Sequence, residues 1–443
     1  MNWPLVIVFA LTFLSVLIGH MSRECFAMVL CRQLKIQFKE DAGFSSVMLG
    51  VLDTAYFFSY AVGLFICGFV EDKLDPKKIV ACGLAVSGGA LVSISAMGSA
   101  GVRQAWLYVP LFLVNGFSQA TIFPGTSAIM GKFFTNERVR GKVFGAWGTC
   151  VPLGNIVGAM VTAFMQQTLE ASWQHILLVI AVLLAATGSA LLFLLPTFRV
   201  TMIQSTGRSD SDEGTAEPKG SYCQTLLLPG YASLRVLLYA ACYGFQKMTH
   251  QGLTMWIPFF FEERFHQTEV LAGSLEMVYE IGGLLGVVIM GAICDWTGYR
   301  ASVVGTVMLL MLPLLYVFML PSPGAIWFYF IIVLCTGFGT SGASNFLSSV
   351  IPVDLAQSSP HAGEVLGTIV GFIDGCGSLG AALGEVVVSS IQIGTLADRS
   401  WDDVFTFIMS ILALSSLFLI PRMIIEGREQ PPTPAREVEL SKQ

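Results

Sequence analysis

Gly68-Phe69-Val70-Glu71-Asp72-Lys73 ends the second long apolar run of the chain, and Gly291-Ala292-Ile293-Cys294-Asp295-Trp296-Thr297-Gly298-Tyr299-Arg300 repeats its spacing 223 residues later. In both stretches an aspartate stands four residues after a glycine, and a basic residue follows. The glycine-rich segments around Gly154 and Gly377 have the same offset. Internal repeats of this length indicate a fold built from two related halves.

The composition predicts a membrane protein. Of the 443 residues, 54% are hydrophobic and 12% are charged, whereas about a quarter of the residues of a soluble domain are charged. Runs of about 18 to 25 apolar residues suffice for one membrane-spanning helix each. We number twelve such runs as spans 1 to 12, at about 4–30, 45–70, 79–97, 106–130, 143–165, 174–196, 234–260, 270–293, 302–320, 325–346, 364–392 and 403–421. The predicted fold class is an all-α membrane protein with twelve transmembrane helices.

The polar stretch 197–230 divides these spans into six and six. Its Ser, Gly, Asp and Glu content is typical of a flexible linker. We therefore predict an N-terminal six-helix bundle over 1–196, a cytoplasmic linker over 197–230 and a C-terminal six-helix bundle over 231–425. The tail, residues 426–443, is predicted to be disordered.

Lysine and arginine are concentrated in the loops on one side of the spans. That side carries Lys73, Lys77 and Lys78 after span 2 and Lys132, Arg138, Arg140 and Lys142 after span 4. The excess of positive charge predicts that this side, with both chain termini, lies in the cytoplasm.

Arg23 lies inside span 1, where a guanidinium costs about 2.5 to 3.5 kcal/mol or more unless something compensates its charge. Lys247 of span 7 stands 224 residues later, so two cations occupy equivalent positions in the two halves. We predict that Arg23 and Lys247 face a central cavity and bind an anion. A structural ion pair with a neighbouring carboxylate is the alternative reading.

Three carboxylates are also predicted to face the interior, because each would be costly in lipid. Asp53, Glu280 and Asp374 lie inside spans 2, 8 and 11. Each is either a gate or coupling carboxylate or the structural partner of a cation or a helix N-terminus. We expect Glu280 to act with Lys247, because spans 7 and 8 are consecutive.

Other polar residues surround these charges in the sequence. His20 and His250 each lie one helical turn from a cation; they are either hydrogen-bonded interior residues or pH sensors. Glu276, one turn before Glu280, is expected to be solvated. Asp72 with Lys73 and Asp295 with Arg300 are predicted to clamp the cytoplasmic ends of neighbouring spans as a gate.

The sequence argues against several other classes of protein. Ten cysteines are scattered singly, the five histidines are dispersed, and no phosphate-binding loop or nucleophile-base-acid set occurs. We expect no enzymatic activity, no cofactor, no metal and no nucleic-acid partner.

The two glycine-aspartate stretches resemble a loop motif of the major facilitator superfamily. The second copy matches better, because Asp75 and Pro76 stand in the first where the family tends to have glycine and a basic residue. This resemblance implies the major facilitator fold, in which two pseudo-symmetric six-helix bundles enclose a central site.

Further motifs resemble the sugar-phosphate exchangers of solute carrier family 37, a member of the organophosphate:phosphate antiporters. They are His20-Met21-Ser22-Arg23, Leu49-Gly50-Val51-Leu52-Asp53, Tyr60-Ala61-Val62-Gly63, Leu153-Gly154-Asn155-Ile156-Val157-Gly158, Met255-Trp256-Ile257-Pro258, Ile373-Asp374-Gly375-Cys376-Gly377-Ser378 and Gly380-Ala381-Ala382-Leu383-Gly384. Three positions depart from the family pattern: Glu24 replaces a frequent lysine, Cys150 stands where many relatives have a histidine, and Glu385 replaces a proline.

This resemblance implies that Arg23 and Lys247 hold a phosphoryl group. The implied function is alternating-access exchange of a phosphorylated sugar or glycerol phosphate for inorganic phosphate, by a monomer in the lipid bilayer of the endoplasmic reticulum or another organelle. Cys150 and Asn155 are expected near the cavity. The alternatives are a proton-coupled organic-anion symporter using Glu280, Asp374 or Glu385, and a non-transporting receptor or scaffold that kept the fold.

Overall fold

A computed structural model of the chain describes residues 3–27, 46–134, 137–195, 230–320, 326–358, 365–393 and 401–428. In these ranges the chain forms helices joined by short turns, and none of these residues forms a strand. The predicted all-α class is confirmed. The expected linker and tail lie outside the described residues, apart from Gly230 and residues 426–428.

Twelve helices, α1 to α12, follow one another in the described ranges, one for each predicted span. The first six are α1 (Trp3–Ala27), α2 (Ser46–Lys73), α3 (Pro76–Ser99), α4 (Ala105–Gln119 and Ile122–Phe133), α5 (Glu137–Gly148 and Cys150–Gln167) and α6 (Trp173–Leu194). The second six are α7 (Gly230–Phe265), α8 (Glu269–Thr297), α9 (Arg300–Tyr316), α10 (Ile326–Ser349 and Ile351–Gln357), α11 (Leu366–Ile393) and α12 (Trp401–Arg428).

Eleven of the helices in the described part of the chain are long and apolar enough to cross a membrane. The helix that fails this criterion is α7, although it is 36 residues long. Its middle carries the polar side chains Gln246, Lys247, His250 and Gln251. The least apolar span is therefore the one that carries a predicted anion-binding cation.

Large apolar side chains cover the outer surface of the molecule. Phe58, Val182, Phe193 and Trp327 are among those that are mostly exposed. An apolar surface of this extent would be unfavourable in water, but it suits contact with lipid tails. The chain is a multi-pass membrane protein.

The same helix pairs form in both halves. In the first half α1 packs against α5, α2 against α4 and α3 against α6; in the second, α7 packs against α11, α8 against α10 and α9 against α12. Two further pairs, α2 with α11 and α5 with α8, join the halves. The arrangement is that of two similar bundles related by a pseudo-twofold axis.

Glycines allow the bundles to approach closely at both of these junctions. A Cβ atom added to Gly68 of α2 would lie 2.3 Å from the carbonyl oxygen of Gly367 in α11. A Cβ atom added to Gly291 of α8 would lie 2.7 Å from the carbonyl oxygen of Gly141 in α5. Gly68 and Gly291 begin the two repeated stretches, and each permits backbone contact that a larger residue would block.

The C-terminal helix is longer than the sequence suggested. It continues to Arg428, so residues 426–428 are not part of a disordered tail. Glu426 is buried, and its carboxylate accepts hydrogen bonds from the backbone N–H groups of Ala301 and Ser302 at 2.9 and 2.8 Å. This carboxylate satisfies free N–H groups at the start of α9, which explains why the helix end is ordered.

Candidate functional site

A cavity lies between the two bundles, with about 620 Å³ of empty space that includes solvent open to it. Residues of α1, α2 and α5 line it from one side, and residues of α7, α8, α10 and α11 line it from the other. Arg23 and Lys247, the two predicted cations, both line this cavity.

Arg23 is held by uncharged groups. Its guanidinium donates to Nδ1 of His20 at 2.8 Å and lies 5.7 Å from the centre of the Tyr60 ring. In the described part of the chain no carboxylate forms an ion pair with it. Arg23 therefore has no described carboxylate in direct contact, although Glu24 and Asp374 line the same cavity and interact with it electrostatically.

Lys247 has a carboxylate partner. Its Nζ lies 2.7 Å from Oδ1 of Asp374 in α11 and donates to Oγ of Ser378 at 3.3 Å. The expectation that Glu280 is the partner of Lys247 is wrong. Because α7 packs lengthwise against α11, it is α11 and not the consecutive α8 that brings its acidic side chain to Lys247.

Asp374 also connects the two bundles. It accepts hydrogen bonds from the hydroxyl of Tyr243 in α7, at 3.1 Å, and from that of Tyr60 in α2, at 3.5 Å. Sequence reasoning did not assign these tyrosines to the site. A signal was present, because a tyrosine buried in an apolar span needs a partner for its hydroxyl group.

Glu24 faces the cavity, although it is adjacent to Arg23 in the sequence. It is only 3% exposed, and it lies against α5, where a Cβ atom added to Gly158 would be 3.0 Å from its Cβ. Glu280 lines the same cavity and accepts a hydrogen bond from Ser341 at 3.4 Å. Glu276 is 4% exposed, so the expectation that it is solvated is wrong; α8 is covered by both bundles at this level.

The orientation of the Asn155 side chain follows from its neighbours. Because Arg23 can only donate, Nδ1 of His20 must accept. The Asn155 amide nitrogen therefore points to His20, at 3.2 Å, and in this orientation it also donates to Oε1 of Glu24 at 3.2 Å. Asn155 thus connects α5 with two residues of α1 at the cavity wall.

The remaining predicted cavity residues lie in different places. His250 lines the cavity and shares a hydrogen bond with the Tyr279 hydroxyl at 3.1 Å. Asp53 lines a separate cavity of about 310 Å³ that Arg23 also borders. Cys150 is fully buried in the apolar core and does not line the central cavity, because its side chain points into the packed interior of the first bundle.

The predicted gate aspartates contact the opposite bundle, and their partners are backbone groups. Asp72 accepts hydrogen bonds from the N–H groups of Gly367 and Thr368 at the start of α11, at 2.7 and 2.6 Å. Asp295 accepts from the N–H groups of Gly141 and Lys142 in α5, at 3.0 and 2.7 Å. Asp72 places its charge at the N-terminus of α11, where negative charge is favourable, and we expect both contacts to hold this end of the molecule closed, as the predicted gate requires.

The basic residues of the two stretches behave differently. Lys73 lies over the Phe69 ring, with 4.1 Å from Nζ to the ring centre. Arg300 lies 3.7 Å from Asp295 and 2.5 Å from Asp354, which also pairs with Arg140 of the first bundle. The Asp354 contact with Arg140 was not predicted, since nothing in a loop sequence indicates a partner 214 residues away.

Replacing Asp72 with asparagine is expected to weaken this closure. The amide keeps the shape of the side chain but loses the charge that favours the α11 N-terminus, a contribution of about 0.3 to 2 kcal/mol. A cysteine at Ser348, on the cavity wall, should then react faster with a membrane-impermeant thiol reagent applied from the Asp72 side. Asp75→Asn is the control, because Asp75 caps α3 within one bundle; an unchanged rate in the Asp72 variant would contradict the gate.

Comparison with known proteins identifies the family. The Major Facilitator Superfamily model matches residues 6–385. Sugar phosphate exchanger 3 of Xenopus laevis is 30% identical over 426 residues, covering 87% of this chain and 81% of the relative. The human protein of the same name is 30% identical over 480 residues, covering 95% and 93%.

Two more distant proteins agree with this result. The putative glycerol-3-phosphate transporter 3 of Arabidopsis thaliana is 25% identical, covering 93% of this chain and 85% of the relative. Among solved structures, the human organic anion transporter MFSD10 superimposes with a TM-score of 0.66 at 17% identity, covering 94% of this chain and all of that one, a likeness of fold alone. The chain therefore belongs to the major facilitator superfamily and, within it, to the family of the sugar phosphate exchangers, whose members are membrane transporters and not enzymes.

Proposed function

We propose that this transporter exchanges a phosphorylated sugar or glycerol phosphate for inorganic phosphate. The observation that carries the proposal is that one cation from each bundle, Arg23 and Lys247, lines the same cavity between the bundles. The names of the relatives, which include sugar phosphate and glucose-6-phosphate exchangers and a glycerol-3-phosphate transporter, support this substrate class.

The chemistry of the two cations suits a phosphoryl group. A phosphate monoester carries between one and two negative charges near neutral pH. A guanidinium fork can bind two of its oxygens, and an ammonium group supplies a compact charge to a third. Lys247 already contacts the carboxylate of Asp374, so the anion must share this lysine with the carboxylate or displace the carboxylate from it. Arg23 has no carboxylate in direct contact, so the anion can bind it without displacing one.

Exchange follows from the charge of the empty site. We propose that the junctions at Asp72 and Asp295, which join the two bundles, close the cytoplasmic end of the cavity, with both termini on that side. When the bundles rock, an empty site would carry Arg23, which has no carboxylate in direct contact, through a closed, low-dielectric state, and this is unfavourable. A bound anion removes that cost, so the bundles rock only when the site holds an anion. Each anion that crosses in one direction is therefore exchanged for an anion that crosses in the other.

Reconstituted vesicles test the proposal. Vesicles loaded with inorganic phosphate should take up labelled glycerol 3-phosphate and glucose 6-phosphate, and vesicles without phosphate should not. Equal uptake into both would overturn the exchange mechanism. Uptake into phosphate-free vesicles that depends on a pH gradient would instead favour a proton-coupled organic-anion symporter, and failure of every phosphate compound to stabilise the purified protein would favour a receptor.

A further inference from the structure

The wall that α10 contributes to the central cavity is polar but uncharged. Ser344, Asn345 and Ser348 lie within five consecutive positions of this helix, and all three are buried and line the cavity. Hydroxyl and amide groups are costly in a membrane-spanning helix unless they find hydrogen-bond partners. The partners that these side chains have, and those that they lack, are therefore informative about what the cavity binds.

The side chain of Asn345 has a hydrogen-bond acceptor to spare. The Ser341 hydroxyl donates to Oε2 of Glu280 at 3.4 Å, so its oxygen is left to accept. The amide nitrogen of Asn345 donates to that oxygen at 3.3 Å. This series of bonds fixes the orientation of the amide, and among the described residues the amide oxygen has no hydrogen-bond partner. Because Asn345 lines the cavity, this oxygen is available to a hydroxyl group of a bound molecule.

Ser344 has a hydroxyl group that the rest of the protein does not use. A serine or threonine in a helix often donates to the carbonyl oxygen four residues before it, as Thr340 and Ser349 of α10 do. For Ser344 that carbonyl belongs to Thr340, and it already accepts from the amide nitrogen of Gln246 in α7 at 2.7 Å. In the part of the chain that the structure describes, the Ser344 hydroxyl makes no hydrogen bond. It is thus a second unused polar group beside Asn345.

The first bundle contributes aromatic side chains where the second contributes these polar ones. The repeat offset of 223 residues relates Asn345 of α10 to Ile122 of α4. Next to Ile122, Phe123 lines the cavity, and α2 adds Phe57. The cavity therefore offers a bound molecule unused hydrogen-bonding groups from α10 and apolar surface from α2 and α4.

We propose that α10 recognises the hydroxyl groups of the organic part of the substrate, with Asn345 and Ser344 as the hydrogen-bonding residues. The proposal rests on the proposed function and adds the position of the carbon chain to it. The phosphoryl group binds Arg23 and Lys247, the hydroxyl groups of the chain bind α10, and its C–H groups contact aromatic side chains such as Phe123. A few placed polar groups in a largely apolar pocket are the usual means of fixing the orientation of a small molecule.

This division of the cavity accounts for two different anions at one site. Inorganic phosphate has no carbon chain, so its affinity comes from the two cations. An organophosphate binds the same cations and gains hydrogen bonds at α10, each of which raises affinity roughly twofold to tenfold. A compound of the same shape and charge that lacks the hydroxyl groups leaves the polar groups of α10 unpaired, so it binds less tightly.

Competition in reconstituted vesicles tests the proposal with the full-length chain. Exchange of labelled phosphate is inhibited with unlabelled glycerol 3-phosphate or with n-propyl phosphate, which has the same carbon chain and phosphate group but no hydroxyl groups. For the wild type, glycerol 3-phosphate should inhibit at an about tenfold lower concentration, because its hydroxyl groups bond to α10. Asn345→Leu, a change to an apolar side chain of similar size, should bring the two concentrations to within about twofold of each other. Ser344→Ala should reduce the preference by a smaller factor.

Ser349→Ala is the matched control for Ser344→Ala. Ser349 lies on the same helix and is also buried, but it is not among the residues that line the cavity. This variant should keep the wild-type preference for glycerol 3-phosphate. Inhibition by unlabelled inorganic phosphate is measured for every variant, because phosphate binds without a carbon chain and so reports on the cations and the fold.

The outcomes separate this proposal from the proposed function. If glycerol 3-phosphate and n-propyl phosphate inhibit the wild type equally, α10 does not recognise hydroxyl groups, and the proposed function stands. The assignment is also wrong if Asn345→Leu and Ser344→Ala keep the wild-type preference, or if they weaken inhibition by inorganic phosphate as much as inhibition by glycerol 3-phosphate. If the wild type exchanges no labelled phosphate, or if neither organophosphate inhibits the exchange, the proposed function fails and the assignment fails with it. Should Asn345→Leu not fold, the wild type and Ser344→Ala still decide.

Discussion

Replacement of Arg23 by alanine is expected to abolish phosphate exchange in reconstituted vesicles. Among the described residues it is the cation of the cavity that no carboxylate contacts directly, so we expect it to supply the charge that first meets the anion. Truncating one partner of a buried, hydrogen-bonded charge pair costs about 2 to 5 kcal/mol, or roughly 30-fold or more in affinity. Labelled phosphate uptake into phosphate-loaded vesicles measures the effect.

Two companion variants sharpen this experiment. Arg23→Lys keeps the charge but loses the two-pronged donor geometry, so it should retain a part of the exchange rate. Arg264→Ala removes an arginine whose ion pair with Asp402, at 3.6 Å, is partly exposed near the end of α7 and away from the cavity lining; pairs near the surface contribute little, and transport should be close to normal. Wild-type exchange by Arg23→Ala would show that the anion is not held at this residue.

Replacement of Asp374 by asparagine is expected to destabilise the empty transporter strongly and to make it respond more to phosphate. The change leaves Lys247 buried without the carboxylate that lies 2.7 Å from it. Breaking a buried pair by removing one partner typically costs about 3 to 5 kcal/mol. An anion at Lys247 would take the place of the missing carboxylate, so inorganic phosphate should raise the melting temperature of the variant by more than it raises that of the wild type.

Thermal unfolding with and without phosphate measures both effects. Asp402→Asn is the matched control, because its carboxylate pairs with Arg264 at a partly exposed position, unlike the buried Lys247–Asp374 pair, and ion pairs near the surface are worth about 0 to 1 kcal/mol. A melting temperature of Asp374→Asn equal to that of the wild type would contradict the structural role of the pair. If inorganic phosphate raises the melting temperature of the variant by no more than that of the wild type, Lys247 does not take part in binding the anion.

The helical spans and the internal repeat could be predicted because their signals are local. An apolar run long enough to cross a bilayer forms a helix whatever its neighbours are, since backbone groups in lipid must be satisfied within the segment. Span 7, whose middle is polar in α7, was still recognisable as an apolar run at about 234–260. The ends of the helices were harder to predict from the sequence. The end of α12 is an example, because the partners of the buried Glu426, Ala301 and Ser302, are 125 and 124 residues away.

The candidate cations could also be found without a structure. A charge inside an apolar span is costly by itself, and Arg23 and Lys247 occupy equivalent positions in the two halves. The choice of their partners could not be found this way. Glu280 is nearer to Lys247 in the sequence, yet Asp374 makes the ion pair. The glutamate next to Arg23 in the sequence, Glu24, contacts α5 and forms no ion pair with Arg23.

The sequence by itself therefore determined the membrane class, the two related halves and the positions of the unusual charges, because each depends on the cost of placing a residue type in lipid. Only the tertiary structure decided which charges meet. Asp72 and Asp295, the aspartates of the two repeated stretches, bind backbone N–H groups of the opposite bundle. Such contacts depend on how helices that are distant in the chain pack against each other. They also depend on the direction in which each side chain leaves its helix. The local sequence determines neither.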